Sequence, residues 1–433
     1  MRVLTLTWEF PPLFTGGLGM ACYGIVKALL RLGIEVDLII PTKEEVYFPL
    51  RKEEDADSLP LSFPDPGKRK KRGGKITIKE ILEEGAIVGA YYTTGERVWE
   101  RIWERIWEEE PLEAYRKSSS LDNLRQLLSG DHFLFQEVRR YTTLAFGIAK
   151  QLDFDVIHAH DWLTYPAGIL LKEFSGKPLA VHMHATEFDR AGGPGAEGIH
   201  HIEYLGISLA DRVIAVSGYT ANMLAERYRA DKRKIRVAHN AFALSGKEKE
   251  KKRLFKEITI LFLGRITIQK GPDYFLEVAR RVLEKEKNVR FIVGGIGDMQ
   301  RQMLHRSASF APGTKILFAG FLKREEVEEI LRAADIFVMP SVSEPFGIVT
   351  LEAMSYGAVA IVSRQSGIVE VVKNVYKVDF WDIDRIVSII LELVSKPEKL
   401  REVSRKSVEE AKKFQWEETA RKIADVYKEI KER

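Results

Sequence analysis

The chain has 433 residues, more than one hydrophobic core supports, so two domains of about 200 residues each are expected. Its 30% charged and 45% hydrophobic residues are ordinary globular material, and 67 basic against 63 acidic side chains leave a net charge of +4, too small to make nucleic acid the expected partner. The single cysteine, Cys22, excludes an internal disulfide and fits a reducing compartment. No apolar run reaches the roughly 18 residues of a membrane span, and residues 3–7, followed by Glu9 and two prolines, read as a buried strand rather than an export signal. A cytoplasmic protein without stable membrane insertion is the expectation. Five Asn and eight Gln amid abundant Lys, Arg and Glu match the bias of heat-adapted proteins.

In chain order, residues 2–7, the turn Gly16-Gly17-Leu18-Gly19, an apolar-periodic helix to about Leu32 and residues 35–40 make a strand–helix–strand unit. The alternation returns with strands at 155–158, 179–182, 212–216 and 235–238, the pattern of a parallel sheet covered by helices on both faces. Residues 44–140 fit this scheme poorly and read as an irregular insert. Within it, Lys68-Arg69-Lys70-Lys71-Arg72 reads as a solvated loop tip. A short repeat from Glu96 to Glu108 places Trp99, Trp103 and Trp107 on one helical face that something must cover. Packing on the first domain is the plain account; a homo-oligomer contact and stacking on a polymeric sugar are the alternatives. Six Glu against three Arg over 96–110 speak against a membrane.

The polar run opening at Ser245 is the expected linker, 245–257, after a first domain of 1–244. A second domain, 258–415, repeats the alternation with strands near 259–264, 289–293, 315–318, 336–338 and 359–362. A closing helix, 416–433, has the option of crossing back to the first domain. The expected fold class is α/β: two Rossmann-like, doubly wound parallel-sheet domains facing a deep cleft.

The densest chemistry lies between Ser341 and Gly357. Pro345 and Gly347 turn the chain from a strand into a helix, which places the free amides of Gly347, Ile348 and Val349 at a helix N-terminus beside strand carboxyl ends, where anions bind. Glu344 reaches from the loop, and Glu352, about one turn into the helix, is placed to accept hydrogen bonds from a ribose. Glu344-Pro345-Phe346-Gly347 followed by Glu352 resembles the signature of retaining GT-B glycosyltransferases, the large family that includes sucrose synthases, phosphatidylinositol mannosyltransferases and bacterial starch- and glycogen-synthase-like enzymes. The likeness extends to Gly264-Arg265 and Lys270-Gly271, where the family's Arg and Lys hold the donor diphosphate. Two fixed cations between a strand and a helix suit a pyrophosphate that gains charge as the glycosidic bond breaks.

In the first domain, Trp8-Glu9-Phe10-Pro11-Pro12 leading to Gly16 and Gly17 is similar to the glycine turn of glycogen and starch synthases, where small residues let the backbone approach phosphate and sugar. His158-Ala159-His160-Asp161-Trp162 and His182-Met183-His184-Ala185-Thr186-Glu187 each close an expected strand. By resemblance, His184 matches the active-site histidine whose backbone carbonyl faces the reacting sugar, and Asp161 lines the acceptor side.

A metal-dependent enzyme is the competing account. Asp153-Phe154-Asp155 and Asp382-Ile383-Asp384 match the D-x-D of the other glycosyltransferase fold, but Asp155 begins a strand and Asp382 or Asp384 suits a helix N-cap. His158 with His160, and His200-His201, lack a third ligand in the sequence, so no metal and no cofactor are expected. The chain departs from the family at Phe14, where a Lys is usual, at Ala241 after His239-Asn240, and at Ser366-Gly367 to Glu370 and the shortened loop 374–378, all near the donor. The resemblance implies retaining hexosyl transfer from ADP- or UDP-glucose to a carbohydrate acceptor, an α-glucan first. Transfer to a small acceptor, sugar-nucleotide epimerisation and a non-catalytic carbohydrate-binding scaffold remain as alternatives.

Overall fold

The structure, a computed structural model, describes residues 1–11, 16–41, 47–58, 124, 128, 133–242, 251, 253–310 and 315–432. The tryptophan repeat, the basic run 68–72 and Phe14 therefore lie outside the described residues, as does most of the insert.

The first sheet has seven strands: β1 (Arg2–Leu6), β2 (Glu35–Ile39), β3 (Tyr47–Leu50), β4 (Val156–His160), β5 (Leu179–Met183), β6 (Arg212–Ala215) and β7 (Ile235–Val237), in the order β3-β2-β1-β4-β5-β6-β7. All pairings are parallel except β2 with β3. The second sheet holds β8 (Ile258–Leu263), β9 (Val289–Gly294), β10 (Ile316–Gly320), β11 (Ile336–Met339), β12 (Val359–Ser363) and β13 (Tyr376–Val378), ordered β10-β9-β8-β11-β12-β13 and wholly parallel. The sequences of β8, β11 and β12 are almost uninterruptedly apolar because helices cover both faces of the sheet. This is the α/β, doubly wound, two-sheet architecture expected from the alternation.

Two strands escape the sequence reading. β3 lies inside the supposed irregular insert and carries Pro49, which a strand tolerates at a sheet edge. β13 forms where a mere loop remnant was expected, pairing Tyr376–Val378 with residues 361–363. The insert also has regular structure at both ends, in helices Glu53–Ser58 and Phe133–Ala149. Among the described residues no helix is long and apolar enough to cross a membrane.

Residues 397–431 form two helices. Pro397–Ala411 packs on the second sheet's helices, the chain breaks at 412–415, and Trp416–Lys431 lies on the first sheet. Phe414, in the break, touches the cores of both. The final helix presents Trp416, Ala420, Ile423, Tyr427 and Ile430 to a cluster with Val3, Ile25, Leu29, Val156, Ala180 and Ile214. The spacing of four, three, four and three is that of one buried helical face. Polar contacts fix its position: Thr419 donates to the carbonyl of His239 at 2.7 Å, Glu429 accepts from Arg212 and Arg236, and Lys431 donates to Asp155 at 2.9 Å.

This helix packs against helix Gly17–Arg31, with Trp416 over Gly24. A Cβ at Gly24 would lie 2.2 Å from Cε2 of Trp416. Although alanine is the better helix former, Gly24→Ala therefore overpacks the seam and lowers stability by about 1–3 kcal/mol. Chemical denaturation checks this; a midpoint at or above wild type means that Trp416 does not need the notch.

Candidate active site

In each sheet the strand order reverses once, between β1 and β4 and between β8 and β11. Helices leave such a point in opposite directions, opening a crevice at the strand carboxyl ends. The segments singled out in the sequence follow these four strands and β5.

On the second sheet, β8 runs into Gly264 and the exposed Arg265, whose guanidinium donates to Gln269 Oε1 at 3.1 Å. A short turn, Ile268–Lys270, then carries Lys270 back beside the crevice. Gly271 ends that turn at φ +64°, and a Cβ there would sit 2.1 Å from the carbonyl oxygen of Pro340, so glycine is required by the approach of the β11 loop. A second glycine run, Gly294-Gly295-Ile296-Gly297, supports the Arg265 loop: a Cβ on Gly295 would lie 1.9 Å from the carbonyl oxygen of Gly264. The sequence reading overlooked this run, although three glycines at the end of a strand were its signal.

After β11, Gly347 (φ +103°) starts helix Ile348–Ser355 with no side-chain cap, so the first-turn amides of Ile348 and Val349 have no helical acceptor. Glu344 is 6% exposed; it receives an ion pair from Lys270 and a weak contact from Ser341 Oγ at 3.4 Å. Glu352 is 7% exposed and accepts from Arg324 Nη1 at 2.7 Å. Burial works against the Arg324 charge, yet the Glu352 carboxylate holds its pKa above the ordinary value. Each acid thus has its own cation. Arg324 stands 20 residues before Glu344 on a polar helix face, where nothing in the sequence marks it.

On the first sheet, Gly16 and Gly17 stand exposed at the start of their helix, and a Cβ on either meets nothing within 4 Å among the described atoms. Among the described residues nothing packs there to require glycine. Asp161 follows β4 in a left-handed conformation (φ +58°) that costs a non-glycine residue energy. Its Oδ1 accepts from the amides of His184 at 2.7 Å and Ala185 at 3.4 Å, and Arg190 lies 3.6 Å from Oδ2. Burial pushes the Asp161 carboxyl up to about 6 against the pull of Arg190 and the His184 amide. The carboxylate therefore holds the His184 loop in place. His184 is half-buried; burial, aided by Arg190, pushes its imidazole down to about 3, so it is neutral near pH 7.

Arg190 also donates to Glu203 at 3.0 Å and to the carbonyl of Ala185 at 2.7 Å, and Asp189 caps its helix through Thr186. These residues, too, were invisible to motif reading. The two halves meet around the crevice. Ser343 donates to Asp189, Tyr219 OH lies 2.9 Å from Ser343 Oγ, and Ser217 Oγ donates to the carbonyl of Pro345 at 2.6 Å. Glu370 accepts from the amides of Gly218 (2.8 Å) and Tyr219 and meets His239 Nε2 at 3.1 Å. Gly367 is locked between the halves, since a Cβ would lie 2.2 Å from the carbonyl oxygen of Pro345 and 2.5 Å from Cβ of Ser217.

The aspartate pairs have structural partners elsewhere. Asp155 pairs with Lys431, Asp382 caps its helix by accepting from Arg385 N, and Asp384 pairs with Arg281. The expectation that His158 and His160 lack a third donor is corrected, however: His182 completes one group within 4.8 Å, and Cys22, His160 and His184 form another. The histidines of both meet because β4 and β5 are neighbours, and Cys22 joins from helix Gly17–Arg31, neither of which sequence spacing reveals.

The chain matches two family models, group 1 glycosyltransferases over residues 245–429 and glycosyltransferase family 4 over residues 106–245. It is 27% identical to an uncharacterized glycosyltransferase of Methanocaldococcus jannaschii, over 99% of this chain and 98% of that one. It is 30% identical to a D-inositol 3-phosphate glycosyltransferase of Thermobispora bispora, over 65% of this chain and 72% of that protein. In fold it is similar to the catalytic domain of starch synthase IV from Arabidopsis thaliana bound to ADP and acarbose, with a TM-score of 0.67 at 16% identity, covering 100% of this chain and 99% of that one. Sequence and architecture agree: the chain belongs to the group 1 glycosyltransferases and has the two-domain GT-B fold.

Proposed function

We propose that the protein transfers a hexosyl unit, with retention and without a metal, from a nucleoside-diphosphate sugar to a carbohydrate acceptor, an α-glucan in the first instance. The observation that carries this reading is the meeting of two switch points in one crevice, cations and a free helix N-terminus on one side, the His184 loop held by Asp161 and Arg190 on the other. On this reading Arg265, Lys270 and the amides of Gly347, Ile348 and Val349 bind the diphosphate, while Glu352, held by Arg324, receives the ribose hydroxyls. Lys270 exchanges Glu344 for phosphate as the donor enters. Glu344 is thereby freed to orient the sugar hydroxyls, and the departing diphosphate oxygen takes the proton of the attacking hydroxyl on the same face, which preserves the α configuration. Gly16 and Gly17 leave the backbone open to donor and sugar.

The glucan acceptor is supported by the Trp8 to Pro12 segment and the glycine turn, and by likeness to a starch synthase that binds ADP and acarbose. A second reading, transfer to a small phosphorylated polyol, is favoured by the relative named D-inositol 3-phosphate glycosyltransferase. A panel of ADP- and UDP-sugars assayed with maltooligosaccharide or inositol 3-phosphate in excess chelator separates them. Free nucleotide released only with one acceptor, and undiminished by chelation, is expected, with an α-linkage in the product by NMR. A β-linkage from an α-donor overturns retention. Activity lost in chelator and restored by magnesium or manganese overturns metal independence, and an epimerised donor or unchanged donor with bound glucan overturns transfer.

Two variant sets probe the roles. Arg265→Ala and Lys270→Ala should each weaken binding of ADP or UDP by roughly 2–5 kcal/mol, because each removes a charge partner in a partly dry crevice; calorimetry showing unchanged affinity in both would sink the diphosphate assignment. Glu344→Gln should lower turnover by about a hundredfold or more while leaving nucleotide affinity within about twofold, since its contacts are to the sugar and strengthen in the transition state. A loss confined to nucleotide affinity would instead place Glu344 at the diphosphate.

A further inference from the structure

Asp189 stands at the third position of the short helix Glu187–Ala191, where it completes a capping box with Thr186. Its Oδ2 alone serves that cap, accepting from the Thr186 amide at 2.8 Å and from the Thr186 hydroxyl at 2.7 Å. The helix needs nothing more of the carboxylate. Oδ1 is left over, and it accepts from Ser343 Oγ, 154 residues further along the chain in the loop after β11. A serine hydroxyl has one proton, and Ser343 gives it to the carboxylate, so Tyr219 OH, 2.9 Å away, donates to Ser343. Tyr219, Ser343, Asp189 and Thr186 are thus joined in series, each link a hydrogen bond, with Asp189 1% and Ser343 7% exposed. Burial raises the pKa of the Asp189 carboxyl, and the Ser343 hydroxyl leads the donors that oppose the rise.

The series ends in the two loops that face each other across the crevice. Thr186 lies two residues past His184, and Asp161 holds the amides of His184 and Ala185. Residues 184–186 are therefore pinned by two carboxylates. Ser343 immediately precedes Glu344. On the other side of Glu344, the carbonyl of Pro345 accepts from Ser217 Oγ at 2.6 Å, and Ser217 caps helix Gly218–Arg227 of the first domain. Glu344 is also tied to the loop after β12: its amide donates to the carbonyl of Gln365, and its carbonyl accepts from the amide of Gly367, both at 2.9 Å.

First-domain groups thus hold both peptide neighbours of the acid that faces Lys270. The ties differ in where they lead. Ser217 and the Glu370 contacts reach the start of helix Gly218–Arg227. The bond between Asp189 and Ser343 runs from the Glu344 loop to the His184 loop itself.

Transfer between two bound molecules is sensitive to their spacing, since a misplacement of about 1 Å costs on the order of a hundredfold in rate. A buried hydrogen bond to a carboxylate is short and strong, and so holds a distance well. We propose that Asp189 and Ser343 are positioning residues: their hydrogen bond, backed by Tyr219, sets the spacing between the His184 loop and Glu344, and with it the approach of acceptor to donor sugar. The sugars rest on the transferase reading; the tie between the loops does not.

Ser343→Ala removes this bond and leaves the cap of helix Glu187–Ala191 in place. Asp189→Asn keeps the size of the side chain but has one oxygen for two sets of donors. Assayed in the full chain with whichever of maltooligosaccharide and inositol 3-phosphate the wild type uses, each should lower turnover about ten- to a hundredfold. Affinity for ADP or UDP by calorimetry should stay within about twofold, because Arg265, Lys270 and Glu352 all belong to the second domain. The double variant should fall little further than Asp189→Asn alone, as two side chains acting through one contact require. Losses that multiply, or a loss of nucleotide affinity that matches the loss of turnover, overturn the proposal. Amide hydrogen exchange provides a reading without substrate. Ser343→Ala should speed exchange at Ala185 and Thr186 as well as at Glu344, with the denaturation midpoint close to wild type. Faster exchange confined to the Glu344 loop overturns the tie. A wild-type protein that turns over no donor refutes the transferase reading, while exchange still decides whether the bond couples the two loops.

Discussion

A parallel sheet whose strand order reverses cannot cover the carboxyl ends of its two central strands, because the helices that follow them leave to opposite faces. Both sheets of this protein reverse in that way, at β1 with β4 and at β8 with β11. The rest of the structure depends on how the two resulting gaps are turned toward each other. Gly367 and Glu370 show how close the halves come: one position has no room for a Cβ between Pro345 and Ser217, and the other spends its carboxylate on the amides of Gly218 and Tyr219. The final helix adds a second tie, since the chain must cross from one core to the other through Phe414 to place Trp416 against Gly24.

Within the crevice, buried charge is admitted only in company. Removing a carboxylate from water is costly unless a cation or several hydrogen bonds replace the solvent. Glu344 has Lys270, Glu352 has Arg324, Glu203 has Arg190, and Asp161 has two main-chain amides with Arg190 nearby. A ligand that carries its own negative charge can enter such a site by exchange, taking a cation from an acid that then turns to hydroxyl groups. An uncharged crevice would offer a diphosphate nothing to exchange.

Much of this was legible in the sequence. Alternating apolar strands and helices gave both sheets, because covered parallel strands read as short unbroken apolar runs. Gly264-Arg265, Lys270-Gly271 and Glu344 to Glu352 were legible because their chemistry is written locally, within a turn and the helix that follows. Arg324, Arg190 and Glu203 were not, for they reach their partners across the fold and sit in sequence among ordinary surface charges. β3 and β13 were missed for a related reason: edge strands are short, and their pairing partner rather than their composition makes them strands. The histidines were noticed, yet as two separate pairs; only the adjacency of β4 and β5 joins them.

The two sides of the crevice differ in how they treat protons. On the second sheet the two buried acids each face a cation, Glu344 with Lys270 and Glu352 with Arg324. On the first sheet the histidines are kept neutral by burial, with His158 and His184 pushed down to about 3. An imidazole so weakly basic cannot serve as the base for an attacking hydroxyl near pH 7, although it can donate a hydrogen bond through its one N–H. Asp161, pushed up to about 6, is the stronger base, but its Oδ1 is committed to the His184 and Ala185 amides. On the proposed function, the groups of the first-sheet side thus hold and orient the acceptor rather than remove its proton. On the proposed reaction that leaves the departing diphosphate, whose oxygen gains charge as the sugar leaves and lies on the same face as the incoming hydroxyl, as the group to accept it. On that proposal, retention of configuration and the absence of a side-chain base have one origin, with cations fixed on one sheet and, on the other, neutral imidazoles beside a carboxylate already held by main-chain amides.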